Sequence, residues 1–263
     1  MRRTGLPKWA LVVALVSLSL VVGPVVALLI GADWRTIPTA LASPVARQAL
    51  VLTVTTSSLA TLACVVTGVP TALVLSRCPP RLAGLARAIG LIPLVLPPMV
   101  SGLALLSWLG RHGLAGQVLD TLGLRIPFTT VAVVIAQTFV AWPFLVVAVE
   151  ASLRVGGREV ERVAASLGAT PSRVFWTITW PLIRPGLRGG VVLCFARAVG
   201  EFGATALFAG NLPGRTQTMP LAIYASFNGT GADHNLAVGL AVILVGLSVL
   251  LLALSGSITR SRA

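Results

Sequence analysis

The stretch WALVVALVSLSLVVGPVVALLIG, from Trp9 to Gly31, contains no charged residue. A helix needs about 20 apolar residues to cross the hydrocarbon core of a bilayer, so this stretch is long enough to span one. It follows Arg2, Arg3 and Lys8, as the core of a signal peptide would. However, the apolar run is too long for a typical signal-peptide core and no clear cleavage site ends it. We therefore predict a transmembrane helix that is retained in the mature protein.

The composition of the whole chain also indicates a membrane protein. Of the 263 residues, 56% are hydrophobic and only 10% are charged, whereas a soluble domain usually carries about 25% charged residues. A fold with so little charge must hide most of its outer face from water, and lipid does so. Five further stretches are long and apolar enough to span a bilayer: about Gln48–Ser76, Ile89–Leu109, Thr130–Val149, Gly189–Gly210 and Leu236–Ile258. We predict an all-α integral membrane protein with six transmembrane helices.

The positions of Lys and Arg predict the orientation of the helices, because cytoplasmic loops carry an excess of both residues. The termini and the loops after the second and fourth spans would lie on the same side of the membrane. They hold Arg2, Arg3, Lys8, Arg77, Arg81, Arg87, Arg154, Arg158, Arg162, Arg173, Arg184, Arg188, Arg260 and Arg262. The opposite loops hold only Arg35, Arg47, Arg111, Arg125 and Arg215. We therefore place both termini in the cytoplasm. The net charge of +13 is interpreted as a topology signal, so no nucleic-acid partner is predicted.

Two of the predicted spans have unusual local composition. The third contains the run PLVLPP at 93–98, and it should break or kink there because proline lacks a backbone donor. The second begins with a group of hydroxyl side chains that suit helix packing more than contact with lipid. These residues are Thr53, Thr55, Thr56, Ser57 and Ser58.

No catalytic or cofactor chemistry is visible in the sequence. The chain has no Gly-x-x-x-x-Gly-Lys-Ser/Thr phosphate loop, and so it cannot hold ATP in that way itself. Its three cysteines, Cys64, Cys78 and Cys194, form no CxxC pair, and no metal-ligand cluster or Ser/His/Asp set is present. We predict that the chain is not an enzyme and needs neither a cofactor nor a metal.

The predicted cytoplasmic segment at about 150–188 is too long to be a simple connector. Its first part, from Gly157 to Gly168, reads as a short amphipathic helix that Gly168 ends. Residues at helical spacing place one apolar face on this helix: Val160, Val163, Ala164 and Leu167.

A second short helix is predicted at Ser172–Ile178, with Thr170 as its N-cap and Pro171 at its first position. We expect Trp180-Pro181 to end it before the fifth span. Two short helices that meet at a glycine would form a rigid projection suited to a groove in a partner protein. An amphipathic loop that lies on anionic headgroups is the alternative, and residue chemistry alone leaves both open.

This segment resembles the EAA loop of ABC-importer permeases, whose pattern is Glu-Ala-Ala, three residues, Gly, nine residues, then Ile-x-Leu-Pro. The chain keeps the full spacing with Val163-Ala164-Ala165, Gly168 and Ile178-Thr179-Trp180-Pro181. Val163 replaces the glutamate and Trp180 replaces the leucine. The resemblance implies that Val163, Ala164, Ala165, Gly168, Ile178 and Pro181 belong to a coupling helix held in a cleft of the ATP-binding subunit. Glu159 and Glu161 are candidates to replace the missing glutamate.

The fifth predicted span contains two charged residues, Arg197 and Glu201. Charges inside a membrane are costly unless they are paired or face water. The two residues are four apart, so they share a helix face and can pair. This face either lines the translocation path or holds the helices together, and both interpretations stay open. The candidates for the path or its gate are Arg197, Gly200, Glu201, Phe202 and Gly203.

The segment after the fifth span, from Gly210 to Pro220, is polar and rich in Gly and Pro. It is predicted to lie on the outer side, where backbone amides, hydroxyl groups and one arginine would meet an oxyanion without holding it permanently. An ordinary turn-rich loop is the alternative. The candidates for substrate release are Asn211, Arg215, Thr216, Gln217 and Thr218.

The stretch from Ala196 to Tyr224, with its strings GEFGAT, FAGNLPGRTQT and PLAIY, resembles the molybdate branch of ABC-importer permeases. The resemblance implies a type I ABC-importer transmembrane domain at 47–258, after an N-terminal part at 1–46 that holds the first helix and before a cytoplasmic tail at 259–263. It also implies a multi-pass protein of the cell membrane that imports molybdate or tungstate. The implied partners are a cytoplasmic ATPase dimer, an extracytoplasmic molybdate-binding protein, a second copy of the chain and membrane lipid.

Three alternatives are considered. A sulfate or thiosulfate permease would share this architecture. An ion-gradient-driven secondary transporter often shows inverted repeats and broken helices; we find no convincing repeat, although the third span is broken. An intramembrane enzyme would need a nucleophile, a base or metal ligands in the spans, and only Arg197 and Glu201 are charged there.

Overall fold

The computed structural model of the chain describes residues 7–154, 157–229 and 233–260. Helices follow one another in this order: α1 (Lys8–Gly31), α2 (Ile37–Ala42), α3 (Pro44–Arg77), α4 (Pro80–Gly90), α5 (Ile92–Val95), α6 (Pro98–Leu109), α7 (Leu114–Thr121), α8 (Thr130–Arg154), α9 (Gly157–Ser166), α10 (Pro171–Val174), a π-helical turn (Phe175–Thr179), α11 (Trp180–Val199), α12 (Gly203–Phe208), α13 (Met219–Asn228) and α14 (His234–Arg260). Arg2, Arg3 and Arg262, three of the predicted cytoplasmic residues, lie outside the described part.

Three of the predicted spans correspond to single helices that are long and apolar enough to cross a membrane. They are Trp9–Gly31 in α1, Pro44–Arg77 in α3 and Thr130–Arg154 in α8. α3 begins with a proline at its first position, and the Ser43 hydroxyl caps it by accepting a hydrogen bond from the Ala46 amide at 3.2 Å. The all-helical fold class is confirmed for the described residues, whereas the six-span count and the side on which the termini lie stay predictions.

The predicted break in the third span is confirmed. α5 ends at Val95, Leu96 and Pro97 are extended, and α6 begins at Pro98. Before the break lies a helix that the sequence analysis did not predict, α4, which starts at Pro80. The boundary was missed because a helix that is amphipathic and carries arginines does not look like part of an apolar span.

The fifth span was predicted as one helix over Gly189–Gly210, and this is wrong. α11 ends at Val199, Gly200 to Phe202 are not helical, and α12 begins at Gly203. The Oε1 atom of Glu201 accepts a hydrogen bond from the Ala204 amide at 2.8 Å, which satisfies a free N–H at the start of the new helix. A buried carboxylate thus replaces the backbone partner that a continuous helix would supply.

The prediction that Trp180-Pro181 ends the second loop helix is also wrong, because helical structure continues from α10 through the π-helical turn into α11. Trp180 directly precedes Pro181, and its amide donates to the carbonyl of Phe175, five positions earlier. Pro181 is the second residue of α11 and, as a proline, has no amide to donate to the preceding turn. The π-helical turn therefore carries the chain past a proline that would otherwise interrupt it.

Helices α3, α8 and α11 pack closely in the centre of the molecule. Their shared core contains small or medium side chains, among them the fully buried Ala60, Cys64, Leu145, Ile183 and Cys194. Glycines allow the close approach: a Cβ atom built on Gly68 would lie 2.9 Å from Leu145 Cδ2. Small residues at helix contacts are typical of membrane proteins, in which packing rather than water expulsion drives association.

The hydroxyl residues of α3 divide between the core and the surroundings. Thr53, Thr56 and Ser57 are fully buried, as the packing prediction required. Thr55 and Ser58 are exposed instead, and their hydroxyls donate to the carbonyls of Val51 and Val54 in the same helix. The helical period explains the difference, because positions 55 and 58 face away from α8.

Helix α1 is little enclosed by the rest of the described chain. Within its most apolar window no residue is buried, and side chains such as Leu15, Leu18 and Leu20 are more than half exposed. A helix that is apolar all round and contacts little protein is suited to a lipid environment.

Candidate coupling surface and translocation path

The first candidate surface is the projection formed by α9 and the residues that follow it. Gly168 adopts a φ of +85°, and its amide donates to the Ala165 carbonyl at 3.0 Å. The next amide, of Ala169, donates to the Ala164 carbonyl at 3.0 Å, so that α9 ends in a tight reversal. A Cβ atom on Gly168 would meet nothing within 4 Å, which shows that the backbone angle and not space favours glycine there. The predicted helix end is confirmed.

α9 presents an apolar face to its surroundings. Val160 is 54% exposed, Val163 is 59% exposed and Leu167, just past the helix, is 82% exposed. Ala165 and Gly168 are also exposed, whereas Ala164 is half-buried. No element of the described chain covers this face, so it is available to a partner or to a membrane surface.

The base of the α9 projection is held by Glu161. Its Oε1 atom accepts a hydrogen bond from the Thr179 hydroxyl at 2.5 Å, and its Oε2 atom lies 3.4 Å from Nη2 of Arg77 at the end of α3. The Glu161 side chain is only 17% exposed. Glu161 therefore ties α9 to two other elements and does not point outward, whereas Glu159 is exposed.

The region around the π-helical turn is stiffened by aromatic packing. The rings of Phe175, Trp176 and Trp180 have centroids 4.9 to 6.4 Å apart, and the Arg184 guanidinium lies 5.7 Å from the Trp180 ring centroid. This cation–π contact adds to the packing. Two further residues of the EAA pattern lie here: Ile178 is half-buried and Pro181 is exposed. The tryptophan that replaces the motif leucine thus takes part in a cluster that supports the projection.

The second candidate site lies at the break between α11 and α12. The expected pairing is confirmed, because Arg197 Nη1 lies 2.6 Å from Glu201 Oε2. The Glu201 side chain is 1% exposed and the Arg197 side chain 28% exposed, so the carboxylate is deeply buried and the guanidinium reaches partly out. Glu201 uses its second oxygen for the Ala204 amide. Both carboxylate oxygens are therefore satisfied within the chain.

Glycine permits close contact next to this ion pair. A Cβ atom on Gly203 would lie 2.6 Å from Pro98 Cβ, and one on Gly102 would lie 2.8 Å from the Ala204 carbonyl oxygen. Gly200 has more room, with its nearest neighbour at 3.7 Å. Phe202 is half-buried, with its ring centroid 5.1 Å from that of Tyr224. The broken fifth span thus packs directly against α6, the helix that follows the proline break of the third span.

The segment from Gly210 to Pro220, called the outer segment after its predicted side of the membrane, is built around one carbonyl group. The Leu212 carbonyl accepts hydrogen bonds from the amides of Arg215, Thr216 and Gln217 at 2.9 to 3.1 Å. The Thr216 hydroxyl in turn accepts from the Leu212 amide at 2.9 Å. Asn211 and Arg215 are exposed, whereas Thr216, Gln217 and Thr218 are buried. The three amides are therefore engaged inside the turn, and the exposed polar side chains of Asn211 and Arg215 remain open to a ligand.

Several buried polar atoms near the core have no hydrogen-bond partner among the described residues. They are Ser101 Oγ in α6, Gln137 Oε1 in α8, Thr205 Oγ1 in α12 and Thr218 Oγ1. The Gln137 side chain donates to the Ala198 carbonyl at 3.1 Å and to Ser57 Oγ at 3.3 Å. The sequence analysis did not find Ser101, Gln137 or Thr205, although a glutamine within a predicted span was a usable signal.

A second buried carboxylate was also missed. Glu150, at the end of α8, has a side chain that is 5% exposed and lies next to two arginines. Its Oε1 atom accepts from Arg87 Nε at 2.5 Å and lies 3.5 Å from Arg154 Nη2. The hydrogen bond that Arg87 donates to Glu150 raises the pKa of the Arg87 guanidinium above its ordinary value, which favours its charged form. This cluster is separate from the Arg197–Glu201 pair.

Comparison with known proteins shows which family this chain matches. The family model described as "binding-protein-dependent transport system inner membrane component" matches residues 65–261. The molybdenum transport system permease protein ModB of Mycobacterium bovis is 45% identical over 247 residues, covering 94% of this chain and 92% of that protein. The protein of the same name from Escherichia coli K12 is 39% identical over 220 residues, covering 82% of this chain and 96% of that protein.

Solved structures show the same fold at low sequence identity. A chain of a bacterial alginate ABC transporter, in complex with an alginate pentasaccharide-bound periplasmic protein, aligns with a TM-score of 0.74 at 16% identity, covering 96% of this chain and 93% of that chain. A chain of the inward-facing MetNI methionine ABC transporter aligns with a TM-score of 0.64 at 20% identity, covering 82% and 95%. The helical architecture is therefore that of ABC-importer permeases.

Proposed function

The chain belongs to the family of binding-protein-dependent transport system inner membrane components, and from this premise we propose that it is the permease subunit of an ATP-driven importer of molybdate or tungstate. The observation that carries the proposal is the 45% identity to a molybdenum transport permease over 94% of the chain. The chain is accordingly a multi-pass membrane protein, and we place it in the cell membrane with its termini in the cytoplasm. Hydrolysis of ATP belongs to a separate partner subunit.

The exposed face of α9 supports a coupling role. Val160, Val163 and Leu167 form an apolar surface that no described element covers. An apolar helix face of this kind fits a groove in a partner protein. The proposed partner is a cytoplasmic ATPase dimer, and the coupling residues are Val163, Ala164, Ala165, Gly168, Ile178 and Pro181. Because Glu161 and the π-helical turn hold α9 to α3 and α11, closure of the ATPase dimer would move these helices together with α9.

The buried polar atoms support a path that binds an oxyanion weakly. The hydroxyl groups of Ser101, Thr205 and Thr218, unpartnered within the described chain, offer hydrogen-bond donors without a full positive charge, so a dianion would not be trapped. The Arg197 charge is offset by Glu201 at 2.6 Å. We propose that Arg197, Gly200, Glu201, Phe202 and Gly203 form the gate region of the path. In this arrangement the ion pair sets the local charge, and Gly203 allows α12 to approach α6 closely.

The outer segment supports a role in receiving the substrate. Asn211 and Arg215 are exposed beside a turn whose amides are already engaged, and Thr216, Gln217 and Thr218 continue it into the core. We place release from an extracytoplasmic molybdate-binding protein at this segment. A second copy of the chain would complete the pore, and lipid would surround helix α1.

Sulfate or thiosulfate is the second candidate substrate. Neutral hydroxyl donors do not distinguish among small oxyanions of equal charge, so the proposed path would suit sulfate as well. Primary selectivity would then lie in the binding protein. The gradient-driven alternative loses its main support, because broken helices are also part of the ABC-permease fold found here.

The test is uptake of radiolabelled molybdate into proteoliposomes that contain the chain with its co-purified ATPase and the binding protein. We expect uptake that requires ATP and that tungstate, but not sulfate, blocks. Inhibition mainly by sulfate would agree with an ATP-driven permease but would contradict molybdate or tungstate as its substrate. Uptake without ATP would contradict the proposed coupling.

A further inference from the structure

A cavity of about 260 Å³ lies between α3, α4 and α8, away from the Arg197–Glu201 pair. Leu91, Trp142 and Val147 supply apolar walls. The Trp142 indole is fixed because its Nε1 atom donates to the Thr67 hydroxyl at 3.1 Å. Val147 is 46% exposed, so the cavity lies next to the outer surface of the helix bundle. Its apolar walls suit a hydrocarbon group.

One end of the cavity carries an excess of positive charge. Arg87 and Arg154 line it together with Glu150, so that two guanidinium groups face one carboxylate. The Arg154 side chain is 62% exposed, and its contact with Glu150 is long, at 3.5 Å. A guanidinium has five N–H donors, and this single contact leaves most of those of Arg154 free for an anion. Arginine pairs well with phosphate oxygens.

The helix beside the cavity has the features of an element that rests on a membrane surface. Leu82, Leu85 and Ile89 of α4 recur at helical spacing and are 61%, 62% and 58% exposed. Arg81 and Arg87 lie on the same helix. A short amphipathic helix with arginines and an uncovered apolar stripe is typical of the boundary between headgroups and acyl chains. We therefore expect the cavity to open at the depth where lipid phosphates lie.

We propose that this cavity binds one anionic phospholipid. Its phosphate contacts Arg87 and Arg154, and the first part of an acyl chain lies along Trp142 and Val147. Basic pockets between transmembrane helices on the cytoplasmic side suit acidic headgroups, and the arginine distribution places this end of α8 on that side. A soluble phosphate would use the arginines but not the apolar walls. The inference goes beyond transport, and it rests on the membrane position and orientation given under the proposed function.

The test measures lipid binding and not transport. The purified full chain, in neutral detergent, is titrated with phosphatidylglycerol or with phosphatidylcholine, and native mass spectrometry counts the bound lipids. We expect one tightly retained phosphatidylglycerol per chain and no comparable retention of phosphatidylcholine. Inorganic phosphate and molybdate, added at millimolar concentration, should not displace the lipid.

Matched variants locate the site. Arg154→Gln removes one exposed guanidinium from the cavity and should weaken phosphatidylglycerol binding about fivefold, the effect of one basic residue at a membrane surface. Arg81→Gln removes the same charge from the same membrane-facing region but does not line the cavity, and it should leave the affinity unchanged. The double variant Arg87→Gln/Glu150→Gln removes the buried ion pair without changing net charge, and it should also weaken binding.

Three results would overturn the proposal. Equal losses in Arg154→Gln and Arg81→Gln would show that general surface charge attracts the lipid. Equal retention of phosphatidylcholine would reduce the cavity to an apolar groove without headgroup recognition. Displacement by inorganic phosphate or molybdate would identify a site for free anions.

Discussion

At the scale of single residues, Glu201 joins the end of α11 to the start of α12. It pairs with Arg197 across the end of α11, it accepts from the Ala204 amide at the start of α12, and it is buried. The usual cost of a buried carboxylate is thereby offset by a charge and a backbone donor. Removing the carboxylate leaves a guanidinium and an amide without their partner at the same time.

We expect Glu201→Ala to lower the free energy of unfolding by about 3–5 kcal/mol, the range seen when one member of a buried pair is removed. The measurement is the thermal unfolding midpoint of the purified chain in detergent. The double variant Arg197→Ala/Glu201→Ala should recover part of the loss, because no unpaired charge remains.

The exposed pair Arg125–Asp120 supplies the control for this prediction. Its atoms are 3.2 Å apart and its side chains are 71% and 39% exposed, so Asp120→Ala should cost about 0–1 kcal/mol. An unfolding midpoint for Glu201→Ala that matches that of Asp120→Ala would contradict a structural contribution from the buried pair. If Glu201→Ala instead keeps its stability and loses uptake, the carboxylate acts in the gate alone.

At the scale of secondary-structure elements, α9 shows how a short helix can be firmly held and still expose an apolar face. Glu161 and its partners Arg77 and Thr179 hold one side of the helix. Val163 and Leu167 face outward on the other. A rigid base and a free apolar surface are what a docking helix requires, because little ordering is needed when the partner binds.

We expect Leu167→Asp to abolish co-purification of the ATPase subunit while leaving the thermal stability of the isolated chain unchanged. Leu167 is 82% exposed, so the substitution disturbs no packing within the chain and only places a charge on the proposed interface. The measurement is the ratio of the two subunits after affinity purification, together with the unfolding midpoint of the chain.

Ser166→Asp adds the same charge one position earlier, at an exposed residue outside the apolar face, and serves as the control. It should retain the ATPase. Normal assembly and normal coupled uptake with Leu167→Asp would place the partner on another surface. If α9 instead lies on the membrane surface, both added charges should reduce its contact with lipid, and neither should reduce assembly with the ATPase.

At the scale of the whole molecule, the central packing of α3, α8 and α11 and the uncovered helix α1 indicate a bundle surrounded by lipid. Three helices have the length and composition to span a bilayer. The positions of the arginines then predict that α9 lies in the cytoplasm and that the outer segment lies on the other side.

We expect a cysteine at Asn211 to react with a membrane-impermeant maleimide in intact spheroplasts, and a cysteine at Ser166 to react only after permeabilisation. Both positions are exposed in the structure. The background for both variants replaces the native residues Cys64, Cys78 and Cys194 by serine. Labelling of both sites from outside would contradict the predicted orientation and therefore the proposed cytoplasmic contact.

Much of the fold followed from composition and period alone. The apolar stretches predicted α1, α3 and α8, the prolines at 93–98 predicted the break before α6, and Gly168 predicted the end of α9. These features depend on local rules: apolar length, the missing donor of proline and the backbone freedom of glycine. The pairing of Arg197 with Glu201 followed in the same way from a spacing of four residues.

Other features were decided only by tertiary structure. Glu161 was a candidate to replace the glutamate missing from the EAA pattern, but the folded chain brings Thr179 and Arg77 to it. The break after Val199 and the helix that continues past Pro181 depend on hydrogen bonds that no periodic pattern encodes. Arg87 and Glu150 are far apart along the chain, and only the packing of α4 against α8 joins them. The sequence by itself determined which segments are apolar enough to enter a membrane, because transfer into lipid depends on composition. The tertiary structure decided which polar groups meet inside, because each buried polar atom takes the partner that packing places nearest.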